Sequence, residues 1–290
     1  RVADRRIHPQ DALQPLHVLG IEQQVLRAGL HRHVHAAALR VAQHVERVAR
    51  ALVRDVQPGA GFGILDHAGH PKAPYHTLRR ALQPRALSFS DEGCNGLFLH
   101  AINETHEHLT GHVSLTLYRA DGQRADAGQL PLTAKPWSCT TLALEDAFEW
   151  FIDLSWAYRF GPPVAHVLSA RWLSADGQLL AEHIALPAGR DLPLQEDLGW
   201  QVNLLPHPEA SDTAGVGPQV VTLQLQAQRF AQSVLVDAPG WVADDQAFHV
   251  LPGEPRAVTL RAAVPAPARV IEVRALNTLV PLRIDLDALT

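Results

Sequence analysis

The sequence predicts a mainly β protein built as two consecutive sandwiches, on three observations. Short runs of alternating apolar and polar residues recur from about residue 86 to the end of the 290-residue chain, the pattern of strands with one buried face. Asp-Gly at 121–122 and 176–177 and Pro-Gly at 239–240 interrupt those runs, and such dipeptides favour tight turns. Residues 191–217, between two clusters of strands, are rich in Pro, Gly, Asp and Glu and read as a linker. Turn signals at this spacing favour sandwiches of immunoglobulin-like type.

Residues 1–50 stand apart as an Arg/His-rich segment, helical or disordered. They contain no Ser, Thr, Asn, Lys, Cys, Phe, Tyr or Trp but eight Arg and six His. One reading is a frame-shifted or mis-joined translation of a GC-rich gene that returns to frame near Ala51. The other is a native helix, because Val34, Ala38, Val41, Val45 and Val48 recur at spacings of three and four. His31 and His35 would share a helix face, with His33 and His44 nearby, but the segment completes no tetrahedral metal set and these histidines read as solvated.

In residues 51–85, glycines at 59, 61 and 63 permit unusual dihedrals and close approach, which suits a loop lining a cleft. Residues 69–71 read as a turn, 72–82 as a short amphipathic helix, and Pro84 as its stop. The first sandwich, 86–190, is expected to use strands at 87–90, 97–102, 113–118, 139–144, 164–168 with 170–173, and 178–185. His100, His106, His108 and His112, with Glu104 and Glu107, offer a second metal reading, against which a solvated polar loop is the simpler one. Trp150, Phe151, Trp156 and Tyr158 suit stacking on sugars, yet aromatics more often fill the seam between sheets, and that is the expectation. The second sandwich, 218–290, is expected from strands at 220–228, 231–236, 257–262, 270–277 and 279–286, with a possible further strand at 200–205 inside the linker.

Composition bounds the partners. With 47% apolar and 19% charged residues, a net charge of -5 and a pI near 6.4, the chain offers no basic face for nucleic acid. No apolar run approaches the roughly 18 residues of a membrane helix. Cys94 and Cys139 have no metal-like spacing, so a reducing compartment, the cytoplasm, is expected, with a single disulfide still open. The absence of methionine reads as a fragment or processed product.

Arg54-Asp55, Pro58, Asp66, Gly69, Pro71-Lys72 and Tyr75 follow one another in the order of the last strand, loop and helix of the catalytic barrel in family 2 glycoside hydrolases of the β-mannosidase type, which this stretch resembles. Gln57 departs from that pattern, standing where the family carries a sugar-packing tryptophan. Residues 87–97 with Ile102-Asn-Glu-Thr105 resemble the accessory sandwich behind that barrel. Phe230-Ala231, Val234, Asp237, Asp244-Asp245, Phe248, Leu251-Pro-Gly-Glu254 and Arg274-Ala-Leu-Asn277 resemble the terminal immunoglobulin-like domain. The resemblance covers residues 51–290. It implies that 51–85 is a helical remnant of a (β/α)8 barrel, and that an intact parent releases mannose from β-mannosides with two carboxyls about 5 Å apart.

Those carboxyls would lie upstream, so the chain alone is expected to be inactive. Asn103-Glu104 matches the dipeptide of the family's acid/base but falls in the sandwich, where it reads as a turn. Asp55 and Arg54, at the end of a barrel strand, are the implied substrate-binding residues. Asp66 reads as a turn or cap residue and Lys72 as a solvated charge. The helix at 72–82 is expected to pack on the first sandwich or to be poorly ordered. No cofactor or metal is expected, the implied partner is a β-mannoside glycan met through the parent, and oligomeric state is open. The competing reading is a non-catalytic module of tandem sandwiches binding carbohydrate or protein. Specificity for a β-galactoside or β-glucuronide is a third.

Overall fold

A computed structural model describes residues 53–59, 61–206 and 219–288. The Arg/His-rich start, its histidines and both readings of it lie outside the described residues. Residues from Arg54 onward form one compact unit.

Helix α1 (Ala73–Ala81) comes first, with Pro74 in its first turn and Arg79 and Arg80 in its last, the arrangement that suits a proline's missing N–H and the helix dipole. The first sandwich follows. Its three-stranded sheet contains β1 (Arg85–Asp91), β2 (Leu97–Asn103) and β5 (Ser138–Ala143), in the order β1-β2-β5. The facing sheet contains β3 (Leu109–Tyr118), β4 (Arg124–Ala134), β6 (Val167–Ser174) and β7 (Leu179–Ala185), ordered β4-β3-β6-β7. Leu99, Ala101, Val113, Leu115, Leu117, and Trp172 at the centre, fill the space between them. The predicted hairpin turns form as read: Gly122 and Gly177 have φ of 88° and 83°, conformations that cost a glycine nothing.

In the second sandwich one sheet comprises β8 (Trp200–Leu205), β9 (Val220–Ala227), β11 (Trp241–Ala243) and β13 (Arg256–Ala262), ordered β11-β13-β9-β8. The other comprises β10 (Ala231–Asp237), β12 (Phe248–Val250), β14 (Val270–Arg274) and β15 (Leu282–Asp285), ordered β12-β10-β14-β15. The fold is therefore mainly β, with two sandwiches as predicted. The possible strand at 200–205 is real, and pairs along its length with β9. With Leu198 wholly buried in the second core, residues 198–205 of the stretch read as linker pack as part of that sandwich.

Three other expectations change. β4 occupies a stretch where no strand was foreseen. The aromatics at 150–158 do not fill the seam: Ile152 and Leu154 take core positions, whereas Trp150, Phe151 and Tyr158 are exposed and Trp156 half-buried. Helix α1 is ordered, and its side-chain ion pairs reach the second sandwich, not the first. The sandwiches meet through Tyr118, Val167, Phe230 and Leu251, beside Arg171, which pairs with both Glu182 and Glu254.

Candidate functional site

The site that sequence reasoning singles out is the loop between Asp55 and Lys72. A parallel bridge joins Arg54 to Leu65 and an antiparallel one joins Leu65 to Pro71, so the chain doubles back and brings Lys72 beside Asp55. Asp55 Oδ1 accepts the Gly63 N–H at 2.7 Å, and Oδ2 accepts from Lys72 Nζ at 2.9 Å. Lys72 Nζ also donates to the Gly61 carbonyl at 2.8 Å. Lys72 is thus paired, contrary to its reading as a solvated charge. The hydrogen bond from Lys72, then that from Gly63, hold the Asp55 carboxyl below the usual range, against the opposing effect of desolvation.

This geometry explains two of the three loop glycines. A Cβ on Gly61 would sit 2.1 Å from Asp55 Oδ1, and one on Gly63 would sit 2.7 Å from both the Asp55 amide nitrogen and Oδ1. The close approach inferred from sequence is made to the chain's own buried aspartate. Around that polar centre the loop turns apolar groups outward: Val56 is 86% and Phe62 91% exposed. Gln57 is exposed as well.

Arg54 lies outside the Asp55 cluster, its Nε and Nη2 donating to the His67 carbonyl at 3.1 and 2.5 Å. Asp66 closes a turn, accepting the His70 N–H at 2.8 Å through Oδ1 and facing His70 Nδ1 at 3.1 Å through Oδ2. The loop therefore buries one ion-paired carboxylate, Asp55, and leaves Arg54, the Asp66–His70 pair and apolar Val56 and Phe62 toward its outside.

The Asn103-Glu104 dipeptide sits at the end of β2. Asn103 is wholly buried; its Nδ2 donates to the carbonyls of Glu107 and Lys135 at 2.8 and 3.0 Å, and its Oδ1 accepts from Thr105 N and Oγ1 at 3.1 and 2.7 Å. It pins the turn, as an asparagine following a strand can. His100 lies between Ser90 Oγ at 2.9 Å and Thr141 Oγ1 at 3.0 Å. Among the described residues no group of three or more His, Cys, Asp and Glu is disposed to hold a metal, and Cys94 and Cys139 are both free. A shallow polar depression near Gln195 and Arg229 contains no residue of the Asp55 loop.

Sequence reasoning missed the residue that anchors the loop's helix. Asp245, in the turn between β11 and β12, is buried and pairs with Arg80 of α1 and, at 2.8 Å, with Arg256. Arg79 and His76 lie within 3.6 Å of its Oδ1. Burial depresses the His76 pKa more than nearby Asp245 raises it. Asp244-Asp245 stands out in the sequence only through the resemblance, and nothing local announces a partner so far upstream.

No protein-family model matches the sequence, and no curated protein does. Solved structures share the fold. The exo-chitosanase CsxA of Amycolatopsis orientalis superposes with a TM-score of 0.56 at 12% identity, over 80% of this chain and 30% of that one. A β-D-mannosidase from Dictyoglomus thermophilum gives 0.54 at 14% identity, over 83% and 28%. The chain spans less than a third of either.

Proposed function

We propose that the chain is the C-terminal part of a retaining glycoside hydrolase that releases terminal β-D-mannose, and that it carries none of the reacting carboxyls. The observation behind this reading is the succession of a strand-like loop, a helix and two sandwiches, a fold shared with parts of a β-mannosidase and an exo-chitosanase. Retaining glycosidases need two carboxyl groups about 5 Å apart flanking the scissile bond. Asp55 is tied to Lys72 and Gly63, and Asp66 to His70, which suits both to scaffolding. In the parent, Asp55 and Arg54 line the rim of the sugar pocket.

A second reading, cleavage of β-glucosaminides, is favoured by the likeness to an exo-chitosanase, one structure of which is described as a complex with PNP-β-D-glucosamine. One experiment separates the readings. The 290-residue chain, and a protein extended by the sequence encoded upstream, are assayed with p-nitrophenyl β-mannoside and β-glucosaminide. The expected result is release from the mannoside by the extended protein alone. Sustained release by the short chain refutes its inactivity, release from the glucosaminide selects the second reading, and no hydrolysis of either leaves the interaction module as the better account.

A further inference from the structure

The first sandwich carries an aromatic face that the hydrolase reading leaves unused. Trp150 is 61%, Phe151 70% and Phe160 85% exposed, and Tyr158 joins them. The rings form a group: Phe151 meets Tyr158 edge-on at 5.7 Å, and Tyr158 lies nearly parallel to Phe160 at 5.9 Å. The loop beneath is fixed. Asp153 accepts the N–H groups of Ala157 and Tyr158, both at 2.9 Å, Trp156 Nε1 donates to the Gly161 carbonyl at 3.1 Å, and Tyr158 Oη donates to the Cys94 carbonyl at 3.2 Å. Trp156 and Arg159 hold φ of 52° and 54°, conformations that bulky residues seldom adopt unless the surroundings impose them.

Position and charge narrow the occupant. The loop packs against the β1–β2 turn, at the Asp91–Leu97 end of that hairpin, whereas α1 enters at the opposite, Arg85–Asn103 end. The face is thus away from the junction with the candidate rim. Residues 91–96 and 145–160 together carry six carboxylates and one arginine, and that arginine is occupied over the Trp156 ring at 5.2 Å. Among the described residues, the exposed carboxylates of Glu92, Asp146 and Glu149 have no cationic partner. Flat rings beside unpaired negative charge fit a ligand with apolar C–H faces and positive charge.

We propose that this face binds a β-linked glucosamine oligosaccharide, its pyranose rings stacked on the aromatics and its ammonium groups beside the carboxylates. The inference goes beyond the proposed hydrolysis: it gives a cationic glycan a contact remote from the cutting site, whichever terminal sugar the parent releases. Tryptophan fluorescence of the 290-residue chain is titrated with glucosamine tetrasaccharide, its N-acetylated counterpart and mannotetraose. Saturable binding of the first is expected, weakened about tenfold by Phe151→Ala with Phe160→Ala, with weaker binding of the two neutral sugars. Added salt should narrow that difference by screening the carboxylates. Circular dichroism of the double variant establishes that it is folded, and the single Phe160→Ala substitution gives an independent partial effect. Absence of saturation, equal affinity for neutral and cationic sugars, or unchanged binding by the folded double variant overturns the proposal. Since the titration involves no turnover, its failure beside hydrolysis of either p-nitrophenyl substrate by the extended protein would count against this face alone.

Discussion

Replacing Asp245 with asparagine should loosen the docking of helix α1 on the second sandwich while leaving the sandwich folded. Nine residues are too few for a stable isolated helix, so α1 depends on its docking. Asp245 accepts charge-assisted hydrogen bonds from Arg80 and Arg256, worth about 1.5–3 kcal/mol each. Arg256 lies on β13 and stays with Asp245 when α1 leaves, so only the Arg80 bond counts; that side chain is 33% exposed and regains water when released, which favours the lower figure, about 1.5–2 kcal/mol. Asparagine keeps one neutral acceptor, worth about 1 kcal/mol. Arg80 also keeps its bonds to the Gln246 and Ala247 carbonyls at 3.1 and 2.8 Å. The net loss is about 0.5–1 kcal/mol, a roughly two- to fivefold rise in the opening of α1. Amide exchange at Leu82, whose N–H is bonded to the Leu78 carbonyl at 2.9 Å, reads it directly. Arg79→Ala is the control: its Nη2 lies 3.6 Å from Asp245 and its side chain is 43% exposed, so the cost should stay below about 0.5 kcal/mol. Protection of α1 unchanged in Asp245→Asn, or lost equally in Arg79→Ala, would refute the reasoning.

Further outcomes follow from the same contacts. The depressed Asp55 pKa means that its contribution is complete above the ordinary value of 3.8 and disappears as pH falls through the lower folded value; Lys72→Met should raise that midpoint in a carboxyl NMR titration. His249 accepts the Ser233 N–H at 3.1 Å and is pushed from 6.5 down to about 4, chiefly by burial. The unfolded chain therefore takes up that proton first, and stability should decline from pH 6.5 toward 4 by up to roughly 3 kcal/mol; urea melts of His249→Leu should show a flatter dependence across this range. Asn103→Ala removes the amide that pins the turn after β2, and unfolding in urea should show a loss of roughly 2–3 kcal/mol. A shift below about 0.5 kcal/mol there would mean that water replaces the amide.

Legibility followed the range of the interaction. The Asp-Gly turns were readable because positive φ is a local demand that glycine meets. Helix α1 was readable from apolar spacing and Pro84. β4 escaped notice because Asp126, Gly128 and Pro131 break its pattern, although Leu130, Leu132 and Ala134 alternate inward; at the edge of the sheet a proline is tolerated. The aromatic loop was misassigned because size suggested burial, while neighbouring Ile152 and Leu154 took the inward positions. At the candidate site, Asp55 and the glycines stood out, but the pairing of Asp55 with a lysine seventeen residues later did not. Asp245 lies still farther from its partner, and alternation within a segment carries no signal for such a meeting.

The clasp between Arg80 and Asp245 also sets an order of events during biosynthesis. The two residues are 165 positions apart, roughly 8–30 s of translation at ordinary ribosomal speeds. Through that interval the nascent helix has no dock, and a chain terminated before Asp245 never acquires one. The helix made early thus waits for a sandwich made late.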